Sequence, residues 1–161
     1  MEQYTFSYTV YTSMEEIPSD ILALINQACE ARKAAYAPYS DFLVGAAIEM
    51  EDGEVHTGSN QENAAYPSGL CAERVAVYHA SSVCGDKKMK RIAIVGGSRG
   101  SENSYPAAPC GACRQSLLEY EEKQGSPIEV IFCGVGIVPV YVVGSVKDLL
   151  PFSFGRENLG W

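Results

Sequence analysis

Apolar and polar side chains alternate at the start of the chain, with Tyr4, Phe6, Tyr8 and Val10 on one face and mainly Thr and Ser on the other. A period of two is strand patterning. Residues 3–12 are therefore expected as a strand with one face ready for burial, along a sheet edge or against a partner subunit, a partly frayed terminal arm being the alternative, and residues 1–17 as an N-terminal strand-like extension. From about Pro18 the period becomes helical: Ile21, Leu24, Ile25 and Ala28 form an i, i+3, i+4, i+7 stripe that Ala35 and Tyr36 extend. Pro18 suits a first turn, and Pro38 ends the element. Residues 43–50 read as a strand, Asp52-Gly53 as a hairpin turn, and residues 54–59 as the returning strand.

A second helix is expected from Cys71 to about Val83, with Val75, Ala76, Tyr78 and His79 facing inward. Residues 91–97 form a short apolar run of the kind found in central strands. Residues 98–109, rich in Gly, Ser, Asn and Pro, read as a loop. A third helix starts near Cys110, carries Leu117, Leu118 and Tyr120, and ends before Gly125 and Pro127. Residues 128–133 and 138–143 are two further strands, and residues 145–150 a last helical turn capped by Ser145 and stopped by Pro151. No repeat or linker interrupts the pattern, which predicts one α/β domain over residues 1–161.

Composition narrows the partner. The chain is 47% hydrophobic and 20% charged, as globular proteins are, but its formal net charge is -8. Polynucleotide binding runs on concentrated Lys and Arg, so a nucleic-acid partner is disfavoured and a small, weakly charged ligand is expected. No segment has the length of a membrane span, and the first residues lack the basic and apolar regions of a signal peptide. Six cysteines in a chain of this size do not read as a disulfide framework, so a cytoplasmic, reducing setting is expected.

The candidate chemistry lies in two stretches, Cys71-Ala72-Glu73-Arg74 and Pro109-Cys110-Gly111-Ala112-Cys113-Arg114-Gln115. Three thiolates, from Cys71, Cys110 and Cys113, make an incomplete tetrahedron around Zn²⁺, and catalytic zinc sites keep the fourth position open. A Cys-x-Glu followed by Pro-Cys-x-x-Cys is the arrangement of zinc deaminases, in which the Glu is an acid–base group and not a ligand. Both ligand groups sit at expected helix N-termini, where unpaired amides and the dipole favour thiolate. Three thiolates leave the centre with excess negative charge, and Arg74 is the candidate to offset it by donating to a thiolate sulfur. Arg114 and Gln115 are weaker candidates. A thioredoxin-like redox pair would leave Cys71 and Glu73 without roles, and a purely structural zinc would need a fourth ligand that no spare Cys or His offers at suitable spacing. Cys29, Cys84 and Cys133 read as plain buried thiols, and His56 and His79 as ordinary structural residues.

Beyond the zinc motifs, the runs Ala37-Pro38-Tyr39-Ser40-Asp41-Phe42-Leu43-Val44-Gly45-Ala46-Ala47 and Asn60-Gln61-Glu62-Asn63-Ala64-Ala65-Tyr66-Pro67, and later Leu149-Leu150-Pro151 and Phe154-Gly155, occur in matching order. Over roughly residues 20–158 the sequence resembles the small, homotetrameric cytidine deaminases. The resemblance implies a three-layer α/β/α sandwich around a five-stranded mixed sheet. It also implies one Zn²⁺ per subunit and hydrolytic deamination of cytidine and 2'-deoxycytidine in pyrimidine salvage, with zinc-bound hydroxide attacking C4 and Glu73 shuttling protons. By the same resemblance Asn60 and Glu62 bind ribose hydroxyls, Phe42 packs against the pyrimidine, and main-chain groups around Ala72 and Cys110 read the base edge. Ala64, Tyr66 and Phe154 correspond to positions that reach a neighbouring subunit's site in a homotetramer. The N-terminal extension and the loop at residues 98–109 are longer than the family pattern. A blasticidin-type aminonucleoside deaminase is the nearest alternative, and Asn60-x-Glu62-Asn63 favours cytidine over it.

Overall fold

The structure is a computed structural model and describes residue 1, residues 3–101 and residues 105–160. Within the expected loop at residues 98–109, residues 102–104 lie outside the described residues. The strands are β1 (Tyr8–Tyr11), β2 (Phe42–Met50), β3 (Val55–Ser59), β4 (Met89–Ser98), β5 (Glu129–Gly134) and β6 (Val140–Val143). The α-helices are α1 (Ser19–Arg32), α2 (Ala72–Cys84) and α3 (Gly111–Gln124). All strands join one mixed sheet in the order β1-β6-β5-β4-β2-β3, in which β4 and β5 are parallel and the other neighbours antiparallel.

The sheet is sandwiched because its strands alternate. Ala46, Ile48, Met50, Ile92, Ile94, Val130 and Phe132 face one way and pack on Ala72, Ala76, Val77, Leu117 and Leu118 of α2 and α3. Ala47, Ala93, Val95, Ile131 and Cys133 face the other way and pack on Ile21, Leu24, Ile25 and Ala28 of α1. This is the expected α/β/α sandwich, with one correction: the sheet has six strands instead of five. The extra strand is β1, which pairs antiparallel with β6 from Tyr8↔Val143 to Tyr11↔Val140.

The N-terminal strand lies along a sheet edge, as expected; within the single chain its even face, Tyr4, Phe6, Tyr8 and Val10, is exposed, and Tyr8 stacks on Tyr141 at 6.0 Å. Among the described residues β1 packs chiefly on β6. Two local expectations need correcting. α1 stops at Arg32, short of Ala35 and Tyr36; the Tyr36 amide and carbonyl are instead bonded to Asn60 and Glu62. On α2 the buried residues are Ala72, Glu73, Ala76, Val77 and Ala80, whereas Tyr78 and His79 face out. The helix buries its small side chains because it lies close on β3: a Cβ on Gly58 would stand 2.5 Å from the Ala76 amide nitrogen and 2.8 Å from the Ala72 carbonyl oxygen. No helix among the described residues is long and apolar enough to cross a membrane.

Candidate active site

The cysteines meet because two helices begin at them. Cys71 is the N-cap of α2 and Cys110 the N-cap of α3, both in extended conformation, and Cys113 is fully buried in the first turn of α3. The Sγ atoms of Cys71 and Cys110 are 3.9 Å apart and those of Cys110 and Cys113 are 3.4 Å apart. All three lie within 4.8 Å of one another, and the group has no fourth donor among the described residues. Zinc–sulfur bonds of about 2.3 Å in a tetrahedron would hold sulfurs about 3.8 Å apart. The three thiols therefore fit Zn²⁺ with little adjustment and leave one position open.

The electrostatics agree. Hydrogen bonding with the Cys113 thiol, with Arg74 and Cys110 assisting, holds the Cys71 thiol down at about 5, and the thiolate beside it together with burial pushes Cys113 up. A bound cation takes the place of such a shared proton. Arg74 Nη2 donates to Cys71 Sγ at 3.8 Å, the contact expected from the sequence. Its Nε is buried with no hydrogen-bond partner among the described residues. Glu73 is only 4% exposed, and burial pushes its carboxyl above the ordinary carboxylate range. Ala72 is fully buried, and its amide is among the first amides of α2 that no helical carbonyl can reach.

Two connected hollows open from the thiols. One, of about 590 Å³, is lined by Phe42, Val44, Ile94, Tyr105, Pro106, Ala107, Ala108 and Glu73. The other, of about 450 Å³, is lined by Tyr39, Gln61, Glu62, Asn63, Tyr66 and Arg74. Ser40, Asn60 and Cys71 border both. The cleft is thus mainly apolar near Glu73 and polar beyond Asn60.

Asn60 is buried, and its amide bridges the β2 backbone, Oδ1 accepting from Val44 N at 2.8 Å and Nδ2 donating to Phe42 O at 2.9 Å. It retains one N–H and one lone pair for a ligand. Glu62 accepts from the Tyr39 amide at 2.8 Å and from the Ser40 hydroxyl and amide, and these donors lower its carboxyl pKa. Tyr66 is 74% exposed and meets the Tyr39 ring edge-on at 5.9 Å. Ala64 and Phe154 are exposed and line neither hollow; Phe154 is held through its carbonyl, which accepts from Gln115 Nε2 at 2.8 Å.

Arg114, a weaker candidate from the sequence, donates to Pro109 O at 2.8 Å and to Leu149 O at 2.9 Å, clamping the approach to Cys110. Other contributors carry no signal in the sequence. Ser40 and the Tyr105–Ala108 wall also line the cleft. No local pattern marks them, since each acts through contacts distant in sequence.

Known proteins resemble this arrangement. A family profile, "Cytidine and deoxycytidylate deaminase zinc-binding region", matches residues 18–125. A cytidine deaminase of Sporosarcina psychrophila is 39% identical over 150 residues, covering 88% of this chain and 96% of that protein. One of Halalkalibacterium halodurans is 47% identical over 137 residues, covering 84% and 95%. The crystal structure of cytidine deaminase from Burkholderia pseudomallei superposes with a TM-score of 0.71 at 42% identity, covering 83% of this chain and 98% of that one.

Proposed function

Because the chain belongs to the cytidine deaminase family, we propose that it hydrolyses the exocyclic amine of cytidine and 2'-deoxycytidine, releasing ammonia and the corresponding uridines for pyrimidine salvage. The observation that carries this reading is the convergence of three thiols at two helix N-termini, with a buried carboxyl two residues from the first of them in the opening turn of α2. Cys71, Cys110 and Cys113 hold one Zn²⁺ per chain. Bound there, zinc is a Lewis acid that makes water nucleophilic near neutral pH.

The remaining work falls to the chain itself. Glu73 takes a proton from the attacking water and delivers it to the ring nitrogen beside C4, then takes the second proton from the hydroxyl now on C4 and passes it to the departing amine. Its burial favours the protonated form that the second step requires. Arg74 offsets the thiolate charge through Cys71. Phe42 supplies the flat wall for the pyrimidine, and the Ala72 amide faces the base edge. Asn60 and Glu62 take the ribose hydroxyls, Asn60 with its spare N–H and Glu62 with a carboxylate held in place by Tyr39 and Ser40. The acidic charge of the chain suits an uncharged nucleoside better than a polynucleotide.

The assembly is a homotetramer in which Ala64, Tyr66 and Phe154 complete a neighbour's site; the exposure of these side chains supports that role. Six free thiols fit a reducing cytoplasm. Glu73→Ala is the test of the chemistry. The variant should retain zinc but form uridine about 10²–10⁴-fold more slowly, the scale of a general acid–base group. Parental turnover in that variant would sink the reading.

A further inference from the structure

A second group of ligand-type side chains lies at the far end of α2. Glu54 precedes β3, His56 lies within it, and Cys84 is the last residue of α2. Cys71 is the N-cap of the same helix, so the two groups stand about 20 Å apart at a rise of ~1.5 Å per residue. His56 Nε2 is 2.9 Å from Cys84 Sγ and 3.3 Å from Glu54 Oε1, and Cys84 Sγ is 3.9 Å from Glu54 Oε2. A ring nitrogen has a single in-plane direction, as donor or as acceptor. His56 Nε2 therefore cannot serve the thiol and the carboxylate together, although it is buried between them. One cation in their midst would satisfy all three groups.

We propose that Glu54, His56 and Cys84 form a second metal site, for Zn²⁺ or a divalent ion of similar softness, that ties β3 to the C-terminal end of α2. Tetrahedral zinc with S, N and O ligands would hold these donors about 3.4–3.6 Å apart. The observed separations bracket that range, and side-chain shifts of up to about 0.7 Å, with one Glu54 oxygen as the ligand, bring them to it. Thiolate and imidazole select zinc over magnesium or calcium. The location is favourable, because the last carbonyls of a helix carry partial negative charge. The Cys84 thiol gives its proton to solvent as the metal–sulfur bond forms. Lys87, which bridges Asp52 at 2.6 Å and Glu54 at 3.2 Å, keeps Asp52 as its partner. Glu54 is half-exposed, so water can take the fourth position.

Equilibrium dialysis of the full chain against a range of free Zn²⁺, with zinc counted per chain, tests this. The parent should take up two ions. Glu54→Gln and Cys84→Ser should each weaken the second uptake by about tenfold or more, while uridine formation stays at the parental rate. Glu54→Gln alters a half-exposed side chain and so keeps the test free of misfolding. Co²⁺ added to the parent carrying a single Zn²⁺ per chain should give a sulfur-to-cobalt charge-transfer band that Cys84→Ser abolishes. Uptake of one ion by the parent overturns the proposal. So do two ions held equally by the parent and both variants, or a cobalt band that survives in Cys84→Ser.

Discussion

The substitution Gly58→Ala tests how the fold sets the zinc ligands. A Cβ at this position would lie 2.5 Å from Ala76 N, 2.8 Å from Ala72 O and 3.0 Å from Ala76 Cα, all backbone atoms of α2. Ordinary contact begins about 1 Å farther out, so α2 must lift from β3 by roughly that distance. Ala72, Ala76, Val77 and Ala80, all fully buried against the sheet, lose packing as it lifts. Overpacking of this kind costs about 1–3 kcal/mol, and a backbone contact places it at the upper end. In a chain of this size the melting temperature should fall by about 5–10 °C. The same shift carries Cys71 and Glu73, at the start of α2, away from Cys110 and Cys113 on α3. A misplacement of about 1 Å is enough for a loss near 10²-fold in kcat. Gly144→Ala is the control, because a Cβ there meets nothing within 4 Å, and it should stay within about 0.5 kcal/mol of the parent. The assays are thermal unfolding and steady-state deamination of both variants. Parental stability and kcat in Gly58→Ala would refute the view that close contact with β3 positions the catalytic end of α2.

Two further substitutions separate architecture from binding. Glu121 is buried, and its carboxylate accepts from the amides of Ile128, Val146 and Lys147 and from the Ser145 hydroxyl, joining α3 to the C-terminal segment. Glu121→Ala strands the buried Ile128 and Val146 amides at 1–3 kcal/mol each, so a loss of about 2–6 kcal/mol is expected in denaturant unfolding. Glu62→Gln replaces one acceptor oxygen with a donor facing Ser40 or Tyr39, and should raise KM for cytidine by about tenfold with a smaller effect on kcat. An unchanged KM would remove Glu62 from the sugar site.

The sequence exposed those features that local pattern determines. The α1 stripe, the Asp52-Gly53 hairpin and the Ser145 cap all came through, because each depends on residues within a few positions of one another. The three cysteines were legible for the same reason: two share a helical turn, and both motifs open helices. What failed depends on partners distant in sequence. Tyr78 reads as core by size, yet α2 turns its alanines to the sheet because Gly58 allows nothing larger between them. Asn60 was marked for the sugar through the family resemblance, while its bonds to the β2 backbone emerged only from the tertiary pairing. His56 and Cys84, set aside as structural, are 28 positions apart in sequence and 2.9 Å apart in space.

The most direct measurement is of uridine and ammonia released when the purified, zinc-loaded chain is incubated with cytidine. Equal amounts of the two products, formed catalytically, are what this account of the site predicts. A folded, fully zinc-loaded protein that leaves cytidine unchanged would contradict it.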